Sequence, residues 1–498
     1  MPACSRCVMP ANRQPDFTDI DGDPMSYGIY IGRNLTADGH AWLAGYGDEP
    51  SSHWLEIIDR AEHGPEATIT VGVGPDSDMP GHRTEIPQAP QTARHMRVSY
   101  SYYLGVPAPI TNGGLNEHGV AVRDIWSTSC QALIDMTPKH QTGPNYSDLA
   151  RIVVERARTA REGVEIMAQL IAEHGYSCYG GNSHIIADPD EAWVVIQFSG
   201  GKGLWVAERL GADDIRASRP GYIGVVPTEP DETFLYPPHF ISTAVDLGWY
   251  DPDAGLPFDV NAIYGDGKGP WKGMAWVEAE MRKRAEAAPI TFTDVCWAIQ
   301  TERLTGDTAG YGQVVPLVHP SHSDLRMMWH APVGPVTAPL VPVFLGQTEV
   351  PEEFGQHRYL TTGEAHRFLD CRKEATNPDT VSHVPQGVEV SDSAVYQFKR
   401  LMHLAFQDDG LLKETWDHWR LMETRLAEDL PRVLRSAELL LEAGEPELAR
   451  RVLTRESAAW LAEGLEDCRA LVASGHARLR MRDALNRNGK PMAPEQYW

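Results

Sequence analysis

An abrupt change of character at Ser26 constrains the fold of this chain more than any other feature of its sequence. The first 25 residues are polar and rich in proline, aspartate and glycine, whereas the segment SYGIYIGR that begins at Ser26 carries apolar residues at every second position. Turn-forming residues fill positions 34–39, and a second apolar run, HAWLAGY, begins at His40. Two such runs joined by a short turn are typical of a β-hairpin. The sequence therefore predicts a leader over residues 1–25 and a folded region that opens with a hairpin.

Further strands and a helical pair follow this hairpin. Strand-like runs occupy residues 67–73, 95–104, 118–126, 183–188, 191–198 and 203–210. Residues 147–174 have helical periodicity in two parts, with Ser147 or Asp148 as the first N-cap, Thr159 and Glu162 as a capping box for the second part and Gly175 as its stop. Antiparallel hairpins mixed with helices favour sheets packed against helices over alternating βαβ units. The predicted fold class is α+β.

The second half of the chain divides by composition. Residues 210–390 are rich in proline and glycine around short periodic segments, whereas residues 391–478 repeat leucine at helical spacing. We expect a leader (1–25), a core with loop insertions (26–390), a helical region (391–478) and a tail (479–498). The helical region is expected to form a homo-oligomer interface or to cover the core.

Charge and cysteine content restrict the partners and the compartment. The chain has 44 basic and 69 acidic residues, a formal net charge of −25. Such a surface repels nucleic acid and anionic membranes, so neither is expected as a partner. Seven scattered cysteines do not form a disulfide framework. The N-terminus has no apolar signal segment, and no run approaches the roughly 20 apolar residues of a membrane span. A cytoplasmic protein is predicted.

The metal-like motifs are weak. Cys4 and Cys7 form a CxxC pair, but no second pair follows at a useful spacing, so two ordinary thiols are favoured over a zinc site. Prolines and serines surround His319, His322 and Asp324, which favours surface or pocket histidines over metal ligands. A GxSxG elbow is absent from the sequence, which disfavours an α/β-hydrolase. We expect no metal and no cofactor.

The hairpin segment SYGIYIGRNLTADGHAWLAGYGDE resembles the start of the dipeptidase A family, cysteine-type N-terminal-nucleophile peptidases that include the secernins. Ser26 falls on the family's nucleophilic cysteine, and Asp48 on the aspartate that closes its second strand. The stretches GGLNEHGVAV (113–122) and GGNSHIIADPDEAWVV (180–195) are similar to later family motifs in the same order. The resemblance extends from residue 26 to about residue 475. It implies a four-layer αββα N-terminal-nucleophile hydrolase core with a C-terminal helical region.

This resemblance also implies a catalytic mechanism. Cleavage between Met25 and Ser26 would be autocatalytic and would leave Ser26 as residue one, whose α-amine then acts as the general base. A free α-amine has a pKa of roughly 7.7–8.0, close enough to neutrality for that task. Asp48 would orient the amine or hold a substrate ammonium, with a hairpin-end cap as the structural alternative. Asn182 would stabilise the oxyanion.

Two further residues are predicted to bind substrate. Tyr46 lies in the second strand of the hairpin, and Asn116 lies in GGLNEHG, where a turn role is the alternative. The sequence departs from the family at the nucleophile, which is serine instead of cysteine, and at Gly45-Tyr46, where the family has Arg-Asn or, in a variant, Ser-Tyr. Serine is the poorer nucleophile near neutral pH.

The predicted activity is hydrolysis of dipeptides or small aminoacyl amides through an acyl-enzyme on Ser26. One alternative keeps this chemistry and changes the substrate, giving a pathway-specific acylase or amidase on a small metabolite. The other is a non-catalytic descendant that keeps its leader and binds a ligand.

Overall fold

The computed structural model describes residues 26–47, 53–75, 77, 79–100, 106, 110–178, 180–218, 223–301, 303–306, 309–355 and 393–485. In chain order the strands are β1 (Tyr27–Ile31), β2 (Ala41–Tyr46), β3 (His53–Ile58), β4 (Ala61–Glu62), β5 (Thr68–Val71), β6 (Thr84–Pro87), β7 (Gln91–Thr92), β8 (His95–Tyr100), β9 (Ile110–Asn116), β10 (Ala121–Trp126), β11 (Asn182–Ala187), β12 (Ala192–Gln197), β13 (Trp205–Leu210), β14 (Ile215–Ser218), β15 (Val225–Val226), β16 (Phe234–Leu235), β17 (Phe258–Asp259), β18 (Gly312–Leu317), β19 (Met327–Ala331) and β20 (Val341–Phe344). The helices are α1 (Gln131–Met136), α2 (Tyr146–Arg156), α3 (Ala160–His174), α4 (Phe240–Asp246), α5 (Val260–Ile263), α6 (Lys272–Ala287), α7 (Phe292–Gln300), α8 (Ala394–Ala405), α9 (Asp409–Glu442) and α10 (Pro446–Leu485).

Two large antiparallel sheets organise these strands. The smaller sheet has the order β14-β1-β2-β18-β19-β20, and the larger has the order β16-β13-β12-β11-β10-β9-β8-β3. The predicted N-terminal hairpin is confirmed, because β1 pairs with β2 from Tyr27 opposite Tyr46 to Ile31 opposite Trp42. Later strands flank this hairpin on both sides, β14 against β1 and β18 against β2.

The two sheets pack face to face through an apolar layer. Leu43 and Val315 of the smaller sheet lie in one buried cluster with Met96, Ile125 and Ile185 of the larger sheet. Since side chains alternate along a strand, the other face of each sheet is left for helices.

Helices cover both outer faces. α2 and α3 pack on the larger sheet, where Ile152 and Val164 share a buried cluster with Val122 and Ile186. α6 and α7 pack on the smaller sheet, where Val277 lies in one cluster with residues of β1 and β2. The resulting order of layers, helix–sheet–sheet–helix, is the predicted αββα arrangement.

The helix ends differ in detail from the predicted caps. Asn145, and neither Ser147 nor Asp148, is the N-cap of α2; it forms a capping box with Asp148 at the third helical position. Thr159 caps α3 as predicted, but Glu162 bonds the backbone nitrogen of Arg158, so the capping box there is incomplete.

The C-terminal helices α8, α9 and α10 extend the helical layer over the smaller sheet. Phe398 and Trp460 of these helices lie in one cluster with Trp329 and Phe344 of β19 and β20. The helical region therefore covers the core. α10 continues to Leu485, so residues 479–485, predicted to begin a tail, are helical. Among the described residues, none of the helices has the length and apolar composition needed to cross a membrane.

Candidate active site

Ser26 directly precedes β1, and strand alternation fixes the face on which it lies. Tyr27 and Ile29 pack in the cluster shared with α6 and α7. Tyr30 packs in the cluster between the two sheets. Because successive side chains point to opposite faces, Ser26 and Gly28 face the larger sheet together with Tyr30. Ser26 is half-buried there.

Glycine backbone lies beside Ser26 on this face. Gly28 of β1 pairs with Gly45 of β2. A Cβ atom on Gly28 would lie 2.9 Å from Cδ1 of Ile185, and one on Gly45 would lie 2.6 Å from the backbone oxygen of Tyr27. At Gly45 a side chain would collide with backbone, whereas at Gly28 it would displace the ends of isoleucine side chains; glycine at Gly45 therefore permits the close approach of β1.

Arg123 of β10 lies against these glycines. Its Cγ atom is 3.4 Å and 3.3 Å from the Cβ positions of Gly28 and Gly45. The side chain is fully buried. Its Nη1 donates hydrogen bonds to the backbone oxygen of Asn112 at 3.1 Å and to Oδ1 of Asp124 at 2.8 Å. Because arginine stays protonated in proteins, a buried cation paired with a carboxylate lies under the start of β1.

Polar side chains of β18 and β19 continue this buried row. Gln313 lies opposite Gly45 on one side and opposite His330 on the other. The hydroxyl of Tyr311 accepts a hydrogen bond from Nη1 of Arg123 at 3.1 Å and donates one to Oε1 of Gln313 at 2.9 Å. Burial lowers the pKa of His330 to about 3, so its imidazole is neutral near pH 7. Tyr311 and Gln313 thus connect neutral hydrogen-bonding groups to the Arg123 cation, and His330 lies next to Gln313.

Ser218, at the end of β14, adds a hydroxyl to the face of Ser26. It pairs with Gly28, and paired residues share a face of the sheet. The side chain is buried, and its Oγ has no hydrogen-bond partner among the described residues. Buried hydroxyls without a partner are uncommon, which makes Ser218 a candidate donor to a substrate oxygen. The sequence analysis missed it, because the segment IRAS contains no motif and only strand pairing reveals its position.

Two of the predicted site residues, Met25 and Asp48, lie outside the described residues. Tyr46, predicted to bind substrate, is described and lies on the opposite face of the hairpin from Ser26. It is fully buried among helix-facing residues, its ring contacts that of Tyr27 at 4.8 Å between centroids, and its hydroxyl donates to the backbone oxygen of Leu304. The Tyr46 side chain therefore points away from the face on which Ser26 lies.

Asn116 lies at the β9–β10 turn. Its Nδ2 donates to the backbone oxygens of Val154 at 3.1 Å and Ala157 at 2.7 Å. Its Oδ1 accepts from the backbone nitrogens of His118 and Val120, both at 3.0 Å. All four hydrogen-bonding positions of the amide are thus occupied within the protein, as the turn role requires.

Asn182, the predicted oxyanion donor, begins β11 and is fully buried. Its Nδ2 donates to the backbone oxygen of Ser183 at 3.0 Å, and its Oδ1 has no partner among the described residues. His184, two residues further on, bonds the backbone oxygen of Tyr146 in α2. Strand alternation therefore places Asn182 on the helix-facing side of the larger sheet, away from the face of Ser26.

The described residues contain no cluster of three or more histidine, cysteine, aspartate or glutamate side chains arranged for a metal ion. Cys4 and Cys7 lie outside them. His322 acts as a local cap, since its Nδ1 accepts a hydrogen bond from the backbone nitrogen of Asp324 at 3.1 Å.

One segment of the core matches the model of a known protein family. Residues 84–269 match the model of peptidase family C69. This match includes β6 to β17 and begins after the hairpin that carries Ser26. The matched segment contributes to both the larger sheet and the helices that cover it.

Curated relatives that are named as dipeptidases match a similar length of the chain. A probable dipeptidase B from Streptococcus pyogenes serotype M3 is 28% identical over 181 residues, which cover 35% of this chain and 33% of that protein. A serotype M6 protein of the same name is 27% identical over 177 residues, with the same coverage of both chains. The chain thus matches about a third of the length of these relatives.

Solved structures align with more of the chain at lower similarity. Penicillin V acylase from Agrobacterium tumefaciens is 14% identical, with a TM-score of 0.33, over 66% of this chain and 89% of that one. A mutant of conjugated bile acid hydrolase from Clostridium perfringens is 12% identical, with a TM-score of 0.31, over 61% of this chain and 88% of that one.

Proposed function

We propose that this chain hydrolyses dipeptides or small aminoacyl amides, with Ser26 as the nucleophile after residues 1–25 are removed. The observation that carries the proposal is the position of Ser26, directly before β1 and on the face that β1 turns toward the larger sheet. The C69 match over residues 84–269 and the dipeptidase-named relatives support amide hydrolysis as the reaction class.

Removal of the leader creates the catalytic base. In the intact chain the nitrogen of Ser26 belongs to the peptide bond with Met25 and cannot accept a proton. Attack of the Ser26 hydroxyl on the Met25 carbonyl carbon moves the leader from nitrogen to oxygen as an ester and leaves a free α-amine. Water then hydrolyses this ester, which releases residues 1–25 as a carboxylic acid and restores the hydroxyl.

The mature enzyme repeats this chemistry on its substrate. The α-amine accepts the Ser26 hydroxyl proton while Oγ attacks the scissile carbonyl, and the resulting ammonium protonates the departing amine. Water, deprotonated by the same α-amine, then cleaves the acyl-serine ester and releases the acid. Asp48 is proposed to orient the α-amine or to hold a substrate ammonium.

The buried row of Arg123, Tyr311 and Gln313 beneath β1 makes this site rigid. Arg123 bonds Asn112, Asp124 and Tyr311, so its guanidinium joins β10 to β9 and to the residue just before β18. We assign it a positioning role, because it is fully buried in the structure. Its pairing with Asp124 offsets its charge.

An intact-mass measurement with N-terminal sequencing tests the nucleophile. The wild-type protein is expected to begin at Ser26 and to hydrolyse dipeptides, Ser26→Ala to keep its leader and lack activity, and Ser26→Cys to be processed and active. The exposed Ser242 provides the matched control, Ser242→Ala, which should behave as wild type. A fully active Ser26→Ala protein would falsify the assignment. Retention of the leader by both wild type and Ser26→Cys, without hydrolysis, would instead support the non-catalytic alternative.

The oxyanion donor is tested separately by comparing Ser218→Ala with Asn182→Ala. Loss of an oxyanion donor typically lowers kcat by about 10²–10³. We expect that loss for Ser218→Ala, because Ser218 shares the face of Ser26 and Asn182 does not. Steady-state kinetics on the processed proteins measure the effect. A large drop in kcat for folded Asn182→Ala alone would return the role to Asn182.

A further inference from the structure

A cavity of about 270 Å³ lies between α7 and α9, in the helical layer outside the smaller sheet. Its walls include Thr291, Cys296 and Gln300 from the α7 side and Arg420, Glu423 and Thr424 from α9. Thr291 and Thr424 are exposed, so the cavity opens to solvent at their positions. Its volume is below the roughly 300–1,000 Å³ of sites for drug-sized ligands, so an occupant must be small.

Glu423 presents an unused carboxylate oxygen in this cavity. The residue is 4% exposed. Both of its hydrogen bonds go to Oε1, from Nε2 of Gln300 at 2.7 Å and from the backbone nitrogen of Leu340 at 2.9 Å. Its Oε2 has no hydrogen-bond or ion-pair partner among the described residues. Since Glu423 lines the cavity, this oxygen is open to a hydrogen bond from a ligand there.

Arg420 presents the opposite charge one turn earlier on α9. Its guanidinium lies over the Trp416 ring, 4.7 Å from the centroid. Within the described part of the chain it makes neither a hydrogen bond nor an ion pair, and it does not reach Glu423. Arg420 and Glu423 thus both line the cavity, together with the exposed Glu428, and neither the Arg420 guanidinium nor Oε2 of Glu423 is paired within the described residues.

We propose that this cavity binds a small free α-amino acid. The ligand ammonium donates to Oε2 of Glu423, and the ligand carboxylate accepts from Arg420, since arginine matches carboxylate geometry. Phe292 and Cys296 form part of the wall on the α7 side, against which a short apolar side chain would pack. Because the cavity lies in a different layer from Ser26, the site is independent of the proposed hydrolysis.

Calorimetric titration of the purified full-length protein at about pH 8 tests the proposal. L-alanine should bind, whereas N-acetyl-L-alanine, which lacks the ammonium, and L-alaninamide, which lacks the carboxylate, should each bind at least about tenfold more weakly. A charge-assisted hydrogen bond contributes roughly enough for such a factor. Equal binding of alaninamide and alanine would contradict a zwitterion site.

Variants locate the binding. Glu423→Gln keeps an acceptor for Gln300 and Leu340 but loses the charge, and Arg420→Gln loses the cation; each should weaken alanine binding at least about tenfold. Glu438→Gln, on the same helix and away from the cavity, is the matched control and should bind as wild type. If Glu423→Gln fails to fold, alanine binding by Arg420→Gln alone tests the proposal. Unchanged alanine binding in folded Glu423→Gln or Arg420→Gln would overturn the proposal, whether or not the protein hydrolyses dipeptides.

Discussion

At Gly45 the backbone leaves no room for even one methyl group, and this has a measurable cost. A Cβ there would lie 2.6 Å from the backbone oxygen of Tyr27, which the β1–β2 pairing holds in place. We expect Gly45→Ala to lower the free energy of unfolding by about 1–3 kcal/mol. Urea unfolding followed by circular dichroism measures the change. Gly64→Ala is the control, since nothing lies within 4 Å of its Cβ position; equal effects of the two substitutions would contradict the steric explanation.

Single residues of the site were predictable from sequence only where a local motif marks them. Ser26 opens a hairpin pattern that sequence reveals, whereas Ser218 reaches its side only through strand pairing across nearly two hundred positions. The face of Tyr46 was not predictable either. Every residue of β2 is buried, so alternation of apolar and polar residues gives no signal for which face meets the other sheet.

At the scale of elements, Glu423 connects α9 to α7 and to the segment before β20. Burial raises its pKa to about 7, above a value of roughly 4.3 in an unfolded chain. Between these two pH values the folded state binds more protons than the unfolded state. The free energy of unfolding should therefore fall as pH rises through this window, by on the order of 3 kcal/mol in total.

Chemical denaturation from about pH 4 to pH 8 measures this pH dependence. Gln300 and the backbone nitrogen of Leu340 stabilise the carboxylate, and Arg420 is the charged neighbour that also favours it. Glu423→Gln removes the titrating group and should be less pH-dependent than wild type, while Glu438→Gln, which removes a carboxylate whose pKa Arg435 and Ser321 lower, should keep the wild-type profile above about pH 5. Identical profiles for wild type and Glu423→Gln would contradict the raised pKa.

The positions of helices and strands were the most predictable feature of this chain, because periodicity is local. The pattern over residues 147–174 appears as α2 and α3, and Gly175 ends α3 with a positive φ of 88°. The exact caps were less predictable. Asn145 caps α2 because its side chain also reaches the backbone oxygen of Gly72, a contact that depends on the tertiary fold.

For the whole molecule, the order of strands in the smaller sheet links leader removal to completion of the fold. β2 pairs on one side with β1 and on the other with β18, which begins at Gly312. Under the proposed function, we expect a chain that ends after residue 306 to keep its leader, because its hairpin lacks that neighbour. An intact-mass measurement shows whether the leader is still attached. A chain that lacks only residues 486–498 is the control and should be cleaved as the full-length protein is; cleavage of the shorter chain would contradict the link.

Because of the same strand order, the pairing of β2 with β18 can form only late in translation. A ribosome that adds about 5–20 residues per second needs roughly 15–60 seconds to pass from the start of β1 to the end of β18. Until β14 is translated both edges of the first hairpin are unpaired, and the β2 edge stays unpaired until β18 is translated. If the nucleophile matures only in the closed sheet, every nascent chain emerges inactive, and the cell is protected from a hydrolase that is still attached to the ribosome.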